Sequence, residues 1–192
     1  LACLLVLRSA LRKQGMELTR QTMRSVVLSA ENARTSVAGL RTAGAFDQEK
    51  LAREAQQSSG YQTTVLYRTI PVVAAFNAIR EVAEKEKFDF RVPSRNPRNP
   101  NNRPDAREEE ILASLETQGQ QEYFAVDEKA QQIVYARAIR LTKDCISCHG
   151  NPSTSPTGDG KDVLGFRMEG WRDGDLHGAF VLRSGLDRVD AV

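Results

Sequence analysis

Residues 145 to 149 read Cys-Ile-Ser-Cys-His, which puts two of the chain's three cysteines and one of its two histidines into five consecutive positions. Four readings compete for such a cluster. Two thiols separated by two residues can form thioethers to the two vinyl groups on one edge of a porphyrin, with the adjacent His149 as proximal iron ligand. A redox dithiol would sit at a helix start after a strand in a βαβ setting, and no parallel-sheet pattern is visible here. A structural zinc needs four ligands, and the remaining Cys3 and His177 are both far away in sequence. Coincidence is the fourth reading, against which Gly150-Asn151-Pro152 supplies a tight exit turn directly after the motif. The residues favour covalent haem c held by Cys145, Cys148 and His149, and the odd cysteine count argues against a disulfide framework.

The far side of the iron is less defined by the residues. Water or an open position is the first expectation, with Met168 in "GFRMEGW" second, since a thioether ligand would raise the potential. The plain alternative for Met168 is core packing. His177 reads as a side chain on one face of a strand. Haem propionates need cations, and the stretch from Arg91 to Arg107 also carries Arg95, Arg98 and Arg103 against the single acid Asp105. A guanidinium can grip a carboxylate bidentately, so Arg98 is the first candidate and Arg95 the next, with a solvated loop as the alternative. Tyr67, Arg68 and Trp171 are candidates to line a pocket beside the haem, or else core residues.

The elements that must position these groups follow from periodicity. The chain of 192 residues, with a net charge of +2, is long enough for a real core and shows no charge bias toward nucleic acid. From Leu4 to Leu40 there is no proline, and Val26, Val27, Ala30, Ala33, Val37 and Leu40 recur at helical spacing, which predicts one long helix. Asp47 caps a short helix over "QEKLAREAQQ". "TTVLYRTIPVVAAFNAIREVAEKEK" is a third helical segment with Pro71 near a first turn and a buried stripe of Val72, Ala75, Phe76, Ile79 and Val82. "FDFRVP" alternates as a strand, "PSRNPRNPNNRP" is a loop, and Asp105 with Glu108 forms a capping box for a helix ending at Gly119. "EYFAV" and "QQIVYARAIRL" predict a hairpin, and "DLHGAFVLRSG" a last strand. Helices first and strands later argue for α+β with an antiparallel sheet.

The chain opens with "LACLLVL", an apolar run too short to span a bilayer. The favoured reading is the end of a trimmed transmembrane helix, with Arg8, Arg12 and Lys13 marking an interface. The alternatives are a lipobox remnant at Leu1-Ala2-Cys3 and the buried face of a soluble helix. A membrane-anchored, periplasmic or otherwise extracytoplasmic placement agrees with covalent haem attachment.

Three motifs in order carry a family resemblance: "RNPNNRPDARE" with Arg98, Asn99, Pro100, Asn102, Pro104 and Glu108; "CISCHGNP"; and "GDLHGAFVLRS" with Gly174, Asp175, Gly178 and Ala179. In these the chain resembles the Tll0287-like family of extracytoplasmic haem-c sensor domains. The resemblance implies a PAS-like antiparallel sheet, a long N-terminal helix coming from the membrane, a homodimer, and sensing rather than catalysis. It implies two regions, a membrane-proximal helical part over 1–60 and a sensor domain over 61–192 packed as one unit. The expected function is a haem-c domain that senses redox state or a diatomic gas and signals to a transmembrane chemoreceptor or histidine kinase. An electron-carrying cytochrome, or a solute sensor with a structural haem, are the alternatives.

Overall fold

A helix of 41 residues, α1 (Ala2–Thr42), begins the computed structural model, which describes residues 2–190, the side chains of Ala2 and Asp190 excepted. It is followed by α2 (Gln48–Gln56), α3 (Val65–Arg68), α4 (Pro71–Lys85), β1 (Asp89–Arg91), α5 (Ala106–Thr117), β2 (Glu122–Asp127), β3 (Gln132–Arg140), α6 (Lys143–His149), β4 (Leu176–Gly185) and α7 (Asp187–Asp190). The four strands form one sheet in the order β1-β4-β3-β2. β1 pairs antiparallel with β4, Phe90 opposite Leu182, and β2 pairs antiparallel with β3, Phe124 opposite Tyr135. This is the expected α+β, PAS-like architecture with its long first helix.

The chain divides into two compact units. The first contains residues up to 29, residues 79–138 and residues from 178 onward; the second contains 30–78 and 139–177. The first unit holds most of the core. Ile133 to Ala136 of β3 and Ala179 to Leu182 of β4 are buried without alternation. Central strands covered on both faces read as continuous apolar runs, which is why these two segments lack the period of two that a one-sided strand shows. Met23 and Val27 from α1, Ile79 and Ala83 from α4, and Ile111, Leu112 and Leu115 from α5 are buried with them.

Two of the sequence motifs are explained by packing in this unit. Asp105 Oδ1 accepts from the Glu108 amide at 2.7 Å and Glu108 Oε2 accepts from the Asp105 amide at 3.0 Å, the expected capping box. Glu108 is fully buried. Its carboxylate also accepts from Arg91 Nε at 2.7 Å and Arg183 Nη2 at 2.9 Å, tying β1, β4 and α5 together. Gly178 has no room for a side chain, because a Cβ there would lie 2.5 Å from the Pro93 carbonyl oxygen. The following Ala179 amide donates to that same oxygen at 3.1 Å, so the loop from β1 lies directly on the strand.

Pro71 does begin a helix, but the third helical segment breaks before it into α3 and α4. Thr64 caps α3 by accepting from the Tyr67 amide at 3.2 Å. The buried stripe of α4 contains Ala75 and Ile79 as expected, together with Val73 and Ala83, whereas Val82 is 38% exposed. Val82 is displaced because the helix turns its Val73–Ala83 side inward.

The expected transmembrane segment is corrected by the structure. Among the described residues no helix is long and apolar enough to cross a membrane. In α1 the apolar run Leu4 to Leu7 meets Arg8, Arg12, Lys13, Glu17, Arg20 and Arg24 within the next turns. Arg12 pairs with Glu128 at 2.9 Å and Arg24 with Glu122 at 3.0 Å, so this part of the helix carries protein-facing charge. The anchored placement outside the cytoplasm that rested on this segment is corrected with it. Cys3 is exposed, and Leu1 of the lipobox reading lies outside the described residues.

Candidate functional site

The Cys-x-x-Cys-His motif is helical rather than a loop: it forms the last five residues of α6. Cys145 and Cys148 are three residues apart and therefore share a helix face, with His149 one turn from Cys145. The three cysteines form no disulfide with one another. The Cys145 amide bonds the Thr142 carbonyl at 2.8 Å, which closes the first turn. Cys145 Sγ accepts from the Thr142 amide at 3.5 Å and from Arg34 Nη2 at 3.6 Å.

Arg34 belongs to α1, more than a hundred positions earlier. Its guanidinium also donates to the Arg140 carbonyl at 3.1 Å and to Thr142 Oγ1 at 3.1 Å. One side chain of the long helix thus holds the end of β3, the cap of α6 and the first thiol.

The other end of α6 is fixed by the segment at 168–171. Gly150 follows the helix closely, and a Cβ there would sit 2.5 Å from the Ile146 carbonyl oxygen. The Gly170 amide donates to the Gly150 carbonyl and the Trp171 amide to the His149 carbonyl, both at 2.9 Å. Between Met168 and Gly170, Glu169 places Oε2 3.0 Å from His149 Nδ1. The two side chains are only 20% and 16% exposed, so water competes weakly for this contact. A carboxylate only accepts, so the neutral ring carries its proton on Nδ1 and its lone pair on Nε2. His177 stacks obliquely near His149, ring centroids 4.9 Å apart, and Trp171 meets His177 edge-on at 5.4 Å. Trp171 Nε1 is buried with no hydrogen-bond partner among the described residues.

The third motif builds the return to the sheet. Gly174 adopts a φ of +91°, a conformation favouring glycine, and its amide donates to the Leu141 carbonyl at 2.9 Å. Asp175 Oδ2 accepts from the Arg172 amide at 2.8 Å, and the Leu141 amide donates to the Asp175 carbonyl at 3.0 Å. These bonds set Trp171 and His177 on either side of one tight turn.

These features suit a covalent haem. Two cysteines stand on one face of one short helix, and the adjacent histidine has its Nδ1 held by Glu169, which leaves Nε2 as the nitrogen for a ligand bond. Among the described residues no group of three or more His, Cys, Asp and Glu side chains is placed to hold a metal ion by itself.

The profile of the Tll0287-like family (Tll0287) matches residues 11–184. The chain belongs to the Tll0287-like family. No curated protein matches the chain. Among solved structures it is similar to the crystal structure of the cyanobacterial heme-protein Tll0287, with a TM-score of 0.60 and 18% identity over 86% of this chain and 93% of that one. At that identity the likeness shows a shared fold. Membership in the Tll0287-like family agrees with the three motifs, whose packing roles are now visible.

The remaining sequence candidates are distributed between the units. Trp171 and Met168 are in the second unit with the motif; Met168 is 2% exposed, and its amide donates to the Gly160 carbonyl at 2.9 Å. Tyr67 in α3 contacts Tyr61 edge-on at 5.3 Å, and Tyr61 meets Phe166 at 5.0 Å, an aromatic group within the second unit. Arg68 is exposed. Arg95 and Arg98 belong to the first unit; Arg95 pairs with Glu109 and Glu116 of α5 at 2.5 Å each, and Arg98 is half-buried in the loop before α5. Glu169 and Arg34 escaped the sequence reading. Nothing local marks either one, since their partners lie 20 and 111 positions away.

Proposed function

We propose that this chain is a signal-sensing domain carrying one covalent haem c on Cys145 and Cys148, with His149 Nε2 as the proximal ligand. The observation that carries the reading is the His149 ring, whose Nδ1 is held by Glu169 and which ends the helix that presents Cys145 one turn earlier and Cys148 next to it. The haem, when bound, supplies an iron that can change oxidation state or take a diatomic ligand such as NO or CO. Membership in the Tll0287-like family, and a fold shared with a protein described as a heme-protein, support the same assignment.

The chain's own residues supply attachment, orientation and relay. Cys145 and Cys148 give the thioether sulfurs. Trp171 Nε1 offers a buried donor, and Arg95, Arg98, Tyr67, Arg68 and Met168 stay candidates for further haem contacts. Arg34 provides the output path, because it joins α1 directly to the first turn of α6. A shift of α6 on reduction or ligand binding would alter those three bonds and so the setting of the long helix toward a signalling partner or a second copy of the chain.

The test combines denatured mass with absorption spectra of the oxidised, reduced and CO- or NO-treated protein. A haem that stays on the denatured chain and a reduced form that takes up CO are the expected results. Haem released by acid acetone would remove the attachment, whereas a six-coordinate reduced form that refuses CO would turn the reading toward electron transfer. Hydrogen exchange around Arg34 should differ between the oxidised and the CO-bound reduced protein; unchanged exchange removes the relay.

A further inference from the structure

We propose that Glu169 is the positioning residue of His149: it fixes the ring's orientation and its Nδ1–H tautomer and strengthens Nε2 as a donor. This rests on the reading of His149 as iron ligand and goes beyond it by assigning the control of that ligand to a second side chain.

The backbone argues first. The amides on the C-terminal side of Glu169 are fastened to the carbonyls of His149 and Gly150, Trp171 to the first and Gly170 to the second. On its N-terminal side, the Met168 amide is fastened to the Gly160 carbonyl at 2.9 Å. Two main-chain bonds therefore hold the residues after Glu169 against the end of α6, and a third fixes the residue before it to Gly160. Gly170 adopts a φ of +80°, which lets the chain turn directly after the glutamate and bring both amides back to the helix end. The carboxylate is delivered to Nδ1 by the fold rather than found by a flexible surface side chain.

The chemistry argues second. A histidine that ligates through one nitrogen needs its other nitrogen held, or the ring samples both tautomers and several rotamers. A backbone carbonyl would hold the ring without charge, whereas a carboxylate also draws the Nδ1 proton and moves electron density toward Nε2. A richer donor favours the ferric over the ferrous iron and resists loss of the proximal bond when a ligand binds on the opposite side. In a sensor, that sets the potential at which the domain responds and whether gas binding releases the proximal side. The His177 ring lies 4.9 Å from the His149 ring and itself meets Trp171 edge-on, and neither of these neighbours is an acid.

The experiment uses the haem-loaded chain and the variants Glu169→Gln and Glu169→Ala, with covalent haem content measured first by denatured mass. The midpoint potential and the iron–histidine stretching frequency of the reduced protein are then compared. Glu169→Gln keeps an acceptor of the same shape and loses the charge. It should retain haem, lower the stretching frequency, and favour the reduced form about tenfold, a rise of about 59 mV for one electron. Glu169→Ala should show at least that rise together with a broadened histidine signal from the loosened ring. Haem-loaded variants with potential and frequency unchanged would overturn the inference while leaving the haem reading intact. A potential rise with no change in frequency would make Glu169 a plain neighbouring charge and would overturn it too. A parent chain without covalent haem would instead sink the haem reading itself.

Discussion

Two glutamates, one in each compact unit, are used in opposite ways. Glu108 in the first unit is fully buried and accepts from Arg91, Arg183 and the Asp105 amide, so its carboxylate is consumed by its own fold. Glu169 in the second unit accepts from one nitrogen of an imidazole, and the other nitrogen of that ring stays chemically available. Both residues belong to motif-bearing regions, yet one closes a structure and the other opens a site. A carboxylate saturated from within explains the architecture; a carboxylate that orients an imidazole through one nitrogen leaves the other for a ligand bond.

The contrast can be broken most sharply at the thiols. Replacing Cys145 and Cys148 together by Ser should remove all haem mass from the denatured chain; any haem surviving denaturation in the double variant would show attachment elsewhere. In the first unit the largest effect is expected at Glu108. Glu108→Ala removes the buried carboxylate shared by Arg91 and Arg183, and because Arg183 keeps Asp105 at 2.8 Å the cost should fall at or below the low end of a broken buried pair, about 3 kcal/mol, readable in denaturant unfolding. An unchanged midpoint would mean that Glu108 does not bind β1, β4 and α5 together.

Smaller effects sharpen the same comparison. Gly178→Ala must displace the Pro93 carbonyl from the strand, an overpacking cost of about 1–3 kcal/mol, with haem content per folded chain unaltered. Haem loss proportional to more than the unfolded fraction would contradict a purely architectural role for that glycine. The smallest effect is alkaline. Burial, with the Glu122 carboxylate adding to it, pushes the Tyr135 phenol up to about 12. A raised value means the fold binds the phenolic proton more tightly than the unfolded chain does, so this stability is complete below about pH 10 and is lost as pH rises toward 12. Tyr135→Phe should flatten that part of the stability profile by about 1–2 kcal/mol. Identical slopes for parent and variant would show that the phenol ionises as easily in the fold as outside it.

Much of the fold was legible in the chain because its signals are local. Asp47, Asp105 with Glu108, and Pro71 mark helix starts by bonding or shape within one turn, and each does so in the structure. The split of α3 from α4 was less legible because α3 closes after one turn at Thr69, whose amide bonds back to Val65 and Leu66, inside an apparently continuous pattern that Pro71 then restarts. The apolar opening misled for a related reason. Four consecutive apolar residues in a helix look alike at a membrane and on a long exposed helix, and only the charge pairs that follow, Arg12 to Glu128 and Arg24 to Glu122, tell them apart.

What the sequence determined by itself was the chemistry of residues 145–149, because thiol spacing and an adjacent imidazole are properties of five neighbouring positions. It also determined the order of helices and strands, and the three motifs by which the family is known. Tertiary structure alone decided which partners those residues have. Glu169 reaches His149 across 20 positions and Arg34 reaches Cys145 across 111, through main-chain bonds and helix geometry that no local pattern encodes. It also decided that the glycine of the last strand, Gly178, serves packing: the reason is a carbonyl of Pro93, 85 residues earlier, lying where a Cβ would be.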